Sequence, residues 1–162
     1  AHQSCAGNPF GYQWFPLDPD RNLSRLVGAE TARPVISGFL HDLWAQTGMG
    51  PEDTILIGFS QGAMMALDTG LRLDAPLKGI VAFSGMIIAP ESLREEIGSK
   101  PPVLLVHGDA DDVVPVMGSE AALPVLLDLD VPAQLHISEN AGHTIAQDGL
   151  DAATEFLKSH LH

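Results

Sequence analysis

The amino-acid sequence predicts an α/β fold, with a parallel sheet of about four strands and helices packed against it. Three observations carry this expectation. Four short apolar runs recur along the chain, and helical periodicity fills the intervals between them. A serine held between two glycines stands where the first apolar run passes into a helical pattern.

Residues 1–20, "AHQSCAGNPFGYQWFPLDPD", are rich in Gly, Pro and aromatic residues and read as a long loop. A helical pattern follows from Asn22 to Gln46. Ile36, Phe39, Leu40, Leu43 and Trp44 share one face at i, i+3, i+4, i+7 and i+8. Pro34 should break or kink this stretch, which predicts two helices. "TGMGPED" stops it. "TILIGF" is then an apolar run of strand length, suited to burial on both faces of a parallel sheet. Gln61 to Leu73 reads as helix, Leu77–Gly85 as a second strand and Glu91 to Ile97 as a short helix. Pro101–Asp109 is a third strand. Gly118 to Leu129 is mostly helical, with Pro124 awkward inside it, and Pro132–Ser138 is a fourth strand. Leu150, Ala153, Phe156, Leu157 and Leu161 mark a closing amphipathic helix. With no repeat and no low-complexity linker, one domain spanning residues 1–162 is the simplest organisation.

Composition narrows the function classes. Hydrophobic residues make up 45% and charged residues 18%, as in folded proteins and unlike disordered ones. A formal charge of −13, with only 8 Lys and Arg, argues against nucleic acid or an anionic membrane as partner. Cys5 stands alone, so neither an internal disulfide nor a cysteine metal cluster is expected. No apolar stretch has the length to span a bilayer, and no signal peptide is visible. The sequence starts at Ala1, and a cytoplasmic location is the default expectation.

Gly58-Phe59-Ser60-Gln61-Gly62 matches G-x-S-x-G between a strand and a helix. A sharp turn there lifts the serine hydroxyl clear of the sheet, and flanking side chains should collide with the neighbouring strand and helix. The helix that begins at Gln61 aims its free N–H groups at the same place. A serine hydroxyl is a weak nucleophile and needs a base oriented by a carboxylate. Two later loops supply candidates at the carboxyl ends of parallel strands, where such folds place their chemistry. "HGDADDVVP" follows the third strand and "ENAGHT" the fourth. Asp109, Asp111 and Asp112 compete for the acid role, and His143 is the natural base. His107 reads as a packed residue at a strand tip, and His136 as an ordinary strand histidine. His2, His41, His160 and His162 have no supporting context. Ser84-Gly85 lacks the flanking glycine pattern, Met64 and Met65 read as helix packing, and Cys5 lies outside any such turn.

The segments "PFGYQWFPL", "GFSQGAMMAL", "VLLVHGDADDVVPV" and "AGHTIAQDGL" together resemble the phospholipase/carboxylesterase family of α/β-hydrolases, which includes acyl-protein thioesterases. The resemblance spans nearly the whole chain. It implies Ser60 as nucleophile, Asp111 as the acid, His143 as the base and the Gln61 backbone N–H as an oxyanion donor, with no cofactor and no metal. Trp14, Phe15 and Met86 are the candidates for binding a small-molecule ester. The implied reaction is hydrolysis of short- to medium-chain carboxylic esters through an acyl-enzyme. Thioesters and lysophospholipids are alternatives, as is a non-catalytic remnant acting as a binding module. Activity should rise as His143 becomes neutral.

The family pattern normally opens with further strands and a His-Gly-Gly-like loop that supplies a second oxyanion N–H. Nothing in residues 1–20 resembles that loop. The expectation is therefore an N-terminally truncated sheet with the Ser60 strand at a bare edge. That edge would be covered by a second copy (a homo-oligomer, expected as a dimer), by residues 1–20, or by an upstream piece.

Overall fold

The computed structural model describes residues 3–5, 8–16 and 20–161. His2 and His162 lie outside the described residues, as do residues 17–19 of the opening segment. The main sheet has four parallel strands in the order of the chain: β3 (Ile55–Phe59), β4 (Gly79–Phe83), β5 (Val103–Gly108) and β6 (Ala133–Ser138). Helices alternate with them: α1 (Arg21–Thr47) precedes β3, then come α2 (Gln61–Gly70), α3 (Pro90–Glu96), α4 (Met117–Asp128) and α5 (Gln147–His160). The alternation read from the sequence is thus the observed one, with element ends moved by a few residues.

The two central strands explain themselves. Every residue of β4 and β5 is buried, so both faces must be apolar. Alternate side chains divide between two cores. Ile80, Ala82, Val103 and Leu105 pack with Leu67 and Leu71, around α2, and with Leu126 of α4. Val81, Phe83, Leu104 and Val106 face the other way, onto Ala153 and Phe156 of α5. β3 forms one edge of the sheet, as expected, and its Ile57 is 57% exposed.

Two expectations need correction. Residues 1–20 are not all loop: β1 (Gln3–Cys5) and β2 (Asn8–Gln13) pair antiparallel, with Ser4 opposite Tyr12. The Gly and Pro content hid an aromatic alternation, Phe10–Tyr12–Trp14, which favours extended backbone. Residues 21–47 form one helix rather than two, running straight through Pro34. Pro34 and Glu30, whose carbonyl loses its partner to the ring, both lie on the exposed side, where water can reach that carbonyl. The packed stripe is accordingly Ala29, Ala32, Ile36, Leu40 and Trp44, while Phe39 is 62% exposed. Asp20 caps the helix by accepting from the Leu23 N–H at 3.1 Å.

An ionic knot fastens α1 to α2. The buried Asp68 carboxylate accepts from Arg33 Nε at 2.8 Å and from Arg72 Nη1 at 2.7 Å. Arg72 Nε in turn donates to the half-exposed Glu96 at 2.6 Å, at the end of α3. Removing Asp68 takes away the buried counter-charge between two guanidinium groups and leaves them only the half-exposed Glu96. Asp68→Ala should therefore lower unfolding stability by about 3 kcal/mol in a urea titration. Glu96→Ala, at a solvated site, should cost less than about 1 kcal/mol. Equal costs for the two would contradict the knot.

Candidate active site

The site is built at the carboxyl end of the sheet. β3 ends at Phe59, and Ser60 follows with φ 54° and ψ −117°, a left-handed backbone that a residue with a Cβ rarely adopts. The Ser60 N–H is tied to the Phe83 carbonyl at 2.9 Å, so the turn is anchored to β4. A Cβ on Gly58 would come within 2.3 Å of the Gly62 backbone, which forces glycine there. The matching steric expectation for Gly62 fails: a Cβ at that position would meet nothing within 4 Å. Only the first glycine of the motif is required by contacts among the described residues.

The side chains of Ser60, His143 and Asp111 lie in one hydrogen-bonded line. His143 Nε2 is 3.1 Å from Ser60 Oγ, and Nδ1 is 2.7 Å from Asp111 Oδ2. The ring of Phe59 packs on the imidazole with centroids 4.8 Å apart. The Asp111 carboxyl is wholly buried. Its Oδ1 accepts from the N–H groups of Val113 at 2.9 Å and Val114 at 2.8 Å. Burial alone would raise its pKa. The hydrogen bonds from His143, Val114 and Val113 outweigh that effect, and the net value falls below the usual 3.8.

The other two aspartates have different duties. Asp109 accepts from the Asn140 N–H at 2.6 Å, holding the turn before His143, and Asp112 is exposed. The acid and histidine loops touch through backbone. A Cβ on Gly108 would sit 2.2 Å from the Ala141 carbonyl oxygen, so glycine at the end of β5 lets the 139–143 loop settle directly on it. Ala110 N–H then donates to Ala141 O at 3.0 Å.

His107 is buried, as its place at a strand tip suggested, but it does more than fill space. Its Nε2 lies 2.8 Å from the Val114 carbonyl and 3.3 Å from Asp111 Oδ2, and Nδ1 lies 2.7 Å from Ser119 Oγ. It thereby fastens the acid loop to the start of α4. Gln61 likewise has a second use. Its side chain grips the segment before α1, donating to the Phe15 carbonyl at 2.9 Å and accepting from the Trp14 N–H at 3.1 Å. The G-x-S-x-G motif signals position for Gln61, and nothing local signals this long-range clamp. Its backbone N–H opens α2, where no carbonyl lies one turn back to receive it.

Phe15 and Met64 line a small cavity of about 40 Å³ together with Ser60. Met86 instead lines an adjoining groove of about 650 Å³, reached past Val114 and Arg25, which border both. Trp14 lines neither; the residue is 41% exposed, and what holds it here is its backbone. His136 pairs with Asp148 at 2.9 Å and lines neither cavity, and Ser84 is sealed from solvent. Gly108→Ala should push the histidine loop off β5. In a proton NMR spectrum, the low-field imidazole N–H signal of His143, held by Asp111, should be lost. Gly62→Ala should retain it. Survival of the signal in Gly108→Ala would refute the close-approach account.

A sequence model of the phospholipase/carboxylesterase family matches residues 3–161. Esterase YpfH of Escherichia coli is 29% identical over 153 residues, covering 94% of this chain and 65% of that protein. Acyl-protein thioesterase 1 of Neurospora crassa is 27% identical over 161 residues, covering 94% of this chain and 66% of its own length. The chain thus spans about two thirds of these relatives. The crystal structure of esterase PE8 superposes with a TM-score of 0.97 at 70% identity, covering 99% of this chain and 76% of the other. With the α/β-hydrolase sheet and the match over nearly every residue, the chain belongs to the phospholipase/carboxylesterase family.

Proposed function

We propose that the chain is a serine carboxylesterase that hydrolyses short- to medium-chain carboxylic esters through an acyl-enzyme. The observation that carries this reading is the Ser60–His143–Asp111 line, with its serine raised on a strained turn at a helix N-terminus. Ser60 Oγ–H donates to His143 Nε2 and passes its proton there as Oγ attacks the ester carbonyl. Asp111 accepts from His143 Nδ1–H, fixes that tautomer and balances the imidazolium that forms. The Gln61 N–H and the positive end of α2 face the developing oxyanion. The imidazolium protonates the departing alkoxide, and the acyl group remains on Ser60. Water then repeats the sequence, with His143 as its base, and releases the acid.

Names among the relatives support the ester substrate. With 4-nitrophenyl butyrate, Ser60→Ala should reduce kcat by a factor of about 10⁴ or more. A serine-directed phosphonate should label Ser60 in the wild type alone. Equal turnover in wild type and variant would defeat the proposal.

Asp111 gives a separate test. Because its folded pKa is depressed, its ionised form stabilises the fold above its unfolded value near 3.9, and that contribution disappears as pH falls through the lower folded value. Asp111→Asn should therefore show a shallower loss of stability below about pH 4, and about 10⁴-fold lower kcat. An unchanged acid-unfolding profile would show that the carboxylate charge is not held as described.

A further inference from the structure

The chain carries 8 Lys and Arg against 21 Asp and Glu, so every cation has carboxylates in abundance to pair with. Five of them do: Arg33, Arg72, Arg94, Lys100 and Lys158. Among the described residues, Arg21, Arg25 and Lys78 pair with none; Lys78 stands just before β4 and lines neither cavity at the site, whereas both arginines stand on α1 just after Asp20. They are four residues apart, a spacing that places like charges side by side on a helix and disfavours them. They also lie at the helix end where cations are least welcome, and the first turn of α1 contains no acid. Arg25 Nε is buried with no hydrogen-bond acceptor. Burial, then the neighbouring charge of Arg21, holds the Arg25 pKa below the usual arginine value.

These disfavoured features converge on one place. Arg21 and Arg25 line the same cavity as Ser60 and Gln61. Arg25 also borders the larger groove, whose walls are apolar at Met86, Ile87, Ile88 and Met117. A cation pair is thus set between the nucleophile and an apolar trough. A neutral ester would leave the buried Arg25 Nε without an acceptor and supply no counter-charge to either guanidinium group, neither of which has one among the described residues. An anion seated between them would relieve the like-charge contact and supply that acceptor in a charge-assisted hydrogen bond.

We infer that the preferred substrate is an anionic amphiphile, an ester bearing a carboxylate or phosphate that seats between Arg21 and Arg25 while its apolar portion lies along the Met86–Ile87–Ile88 groove. This substrate class rests on the esterase reading of the same site. The arginines are binding residues, and no step of the bond chemistry passes through them.

Binding is measured first, without turnover. Isothermal titration of Ser60→Ala with hexyl phosphate, hexanoate and 1-hexanol should show at least one anion bound ten or more times more tightly than the alcohol. The tighter anion identifies which head group the site takes. That preference should weaken with added salt and vanish when Arg21→Met and Arg25→Met are added, whereas Arg25→Lys should keep much of it. Thermal melts of the same variants establish that they are folded. In turnover by the otherwise wild-type chain, the ratio of kcat/KM for mono-4-nitrophenyl adipate to that for 4-nitrophenyl hexanoate should fall at least tenfold in Arg21→Met/Arg25→Met. Anions bound no better than hexanol, or a ratio unmoved in a folded double variant, would overturn the inference even with brisk hydrolysis of the hexanoate ester. Arginine-dependent anion binding with no ester hydrolysis would instead overturn the esterase reading and uphold the anion site.

Discussion

A buried carboxylate at Asp111 organises the site. Its charge is removed from water, so every lone pair that faces a donor matters. The N–H groups of Val113 and Val114 hold one oxygen, and His143 holds the other, with His107 beside it. The two backbone donors require the 111–114 segment to curl back on its own carboxylate. That curl turns the second oxygen toward the fourth loop, where His143 waits. A misplaced Asp111 would leave a buried charge unmet, so the geometry of the loop and the satisfaction of the charge are the same constraint.

The sheet makes this constraint achievable. Parallel strands in chain order bring the ends of β3, β5 and β6 to one rim, with β4 between β3 and β5. Ser60, Asp111 and His143 come from separate loops, yet each loop is tied to a neighbouring strand or to the next loop. Ser60 N–H bonds to Phe83 O, Asp109 N–H to Ser138 O and Ala110 N–H to Ala141 O. The residues that face the reaction are held by backbone, and side chains such as His107, Ser119 and Gln61 brace the loops behind them. Such bracing matters because a positioned nucleophile gains its advantage from sub-ångström alignment.

Helix α1 links the scaffold to the substrate side. Its inner stripe and the Asp68 knot secure it against α2, while the Ser24 hydroxyl donates to the Pro16 carbonyl and Gln61 reaches across to Trp14 and Phe15. The start of the helix is thereby fixed beside Ser60. Arg21, exposed, and Arg25, half-buried, are consequently placed in the lining of the cavity, and the acidic composition of the chain makes their lack of partners among the described residues the more telling.

Local pattern sufficed for a good part of this protein. Short, continuous apolar runs in β4 and β5, bounded by Gly and Pro, suit strands buried on both faces, and the glycine before Ser60 suits a turn too tight for a Cβ. The class of fold, the order of the strands and helices of the main sheet, and Ser60 and His143 as candidates were therefore legible from residue types and spacing. Which of Asp109, Asp111 and Asp112 meets His143 was not, because three acids within four residues have the same chemistry until the loop chooses their directions. The path of α1 through Pro34 depended on which side of the helix met water. The clamp by Gln61, the brace by His107 and the meeting of Arg21 and Arg25 with Ser60 all join residues far apart in sequence. Periodicity reports the face on which a side chain stands; only the packed chain decides what stands opposite it.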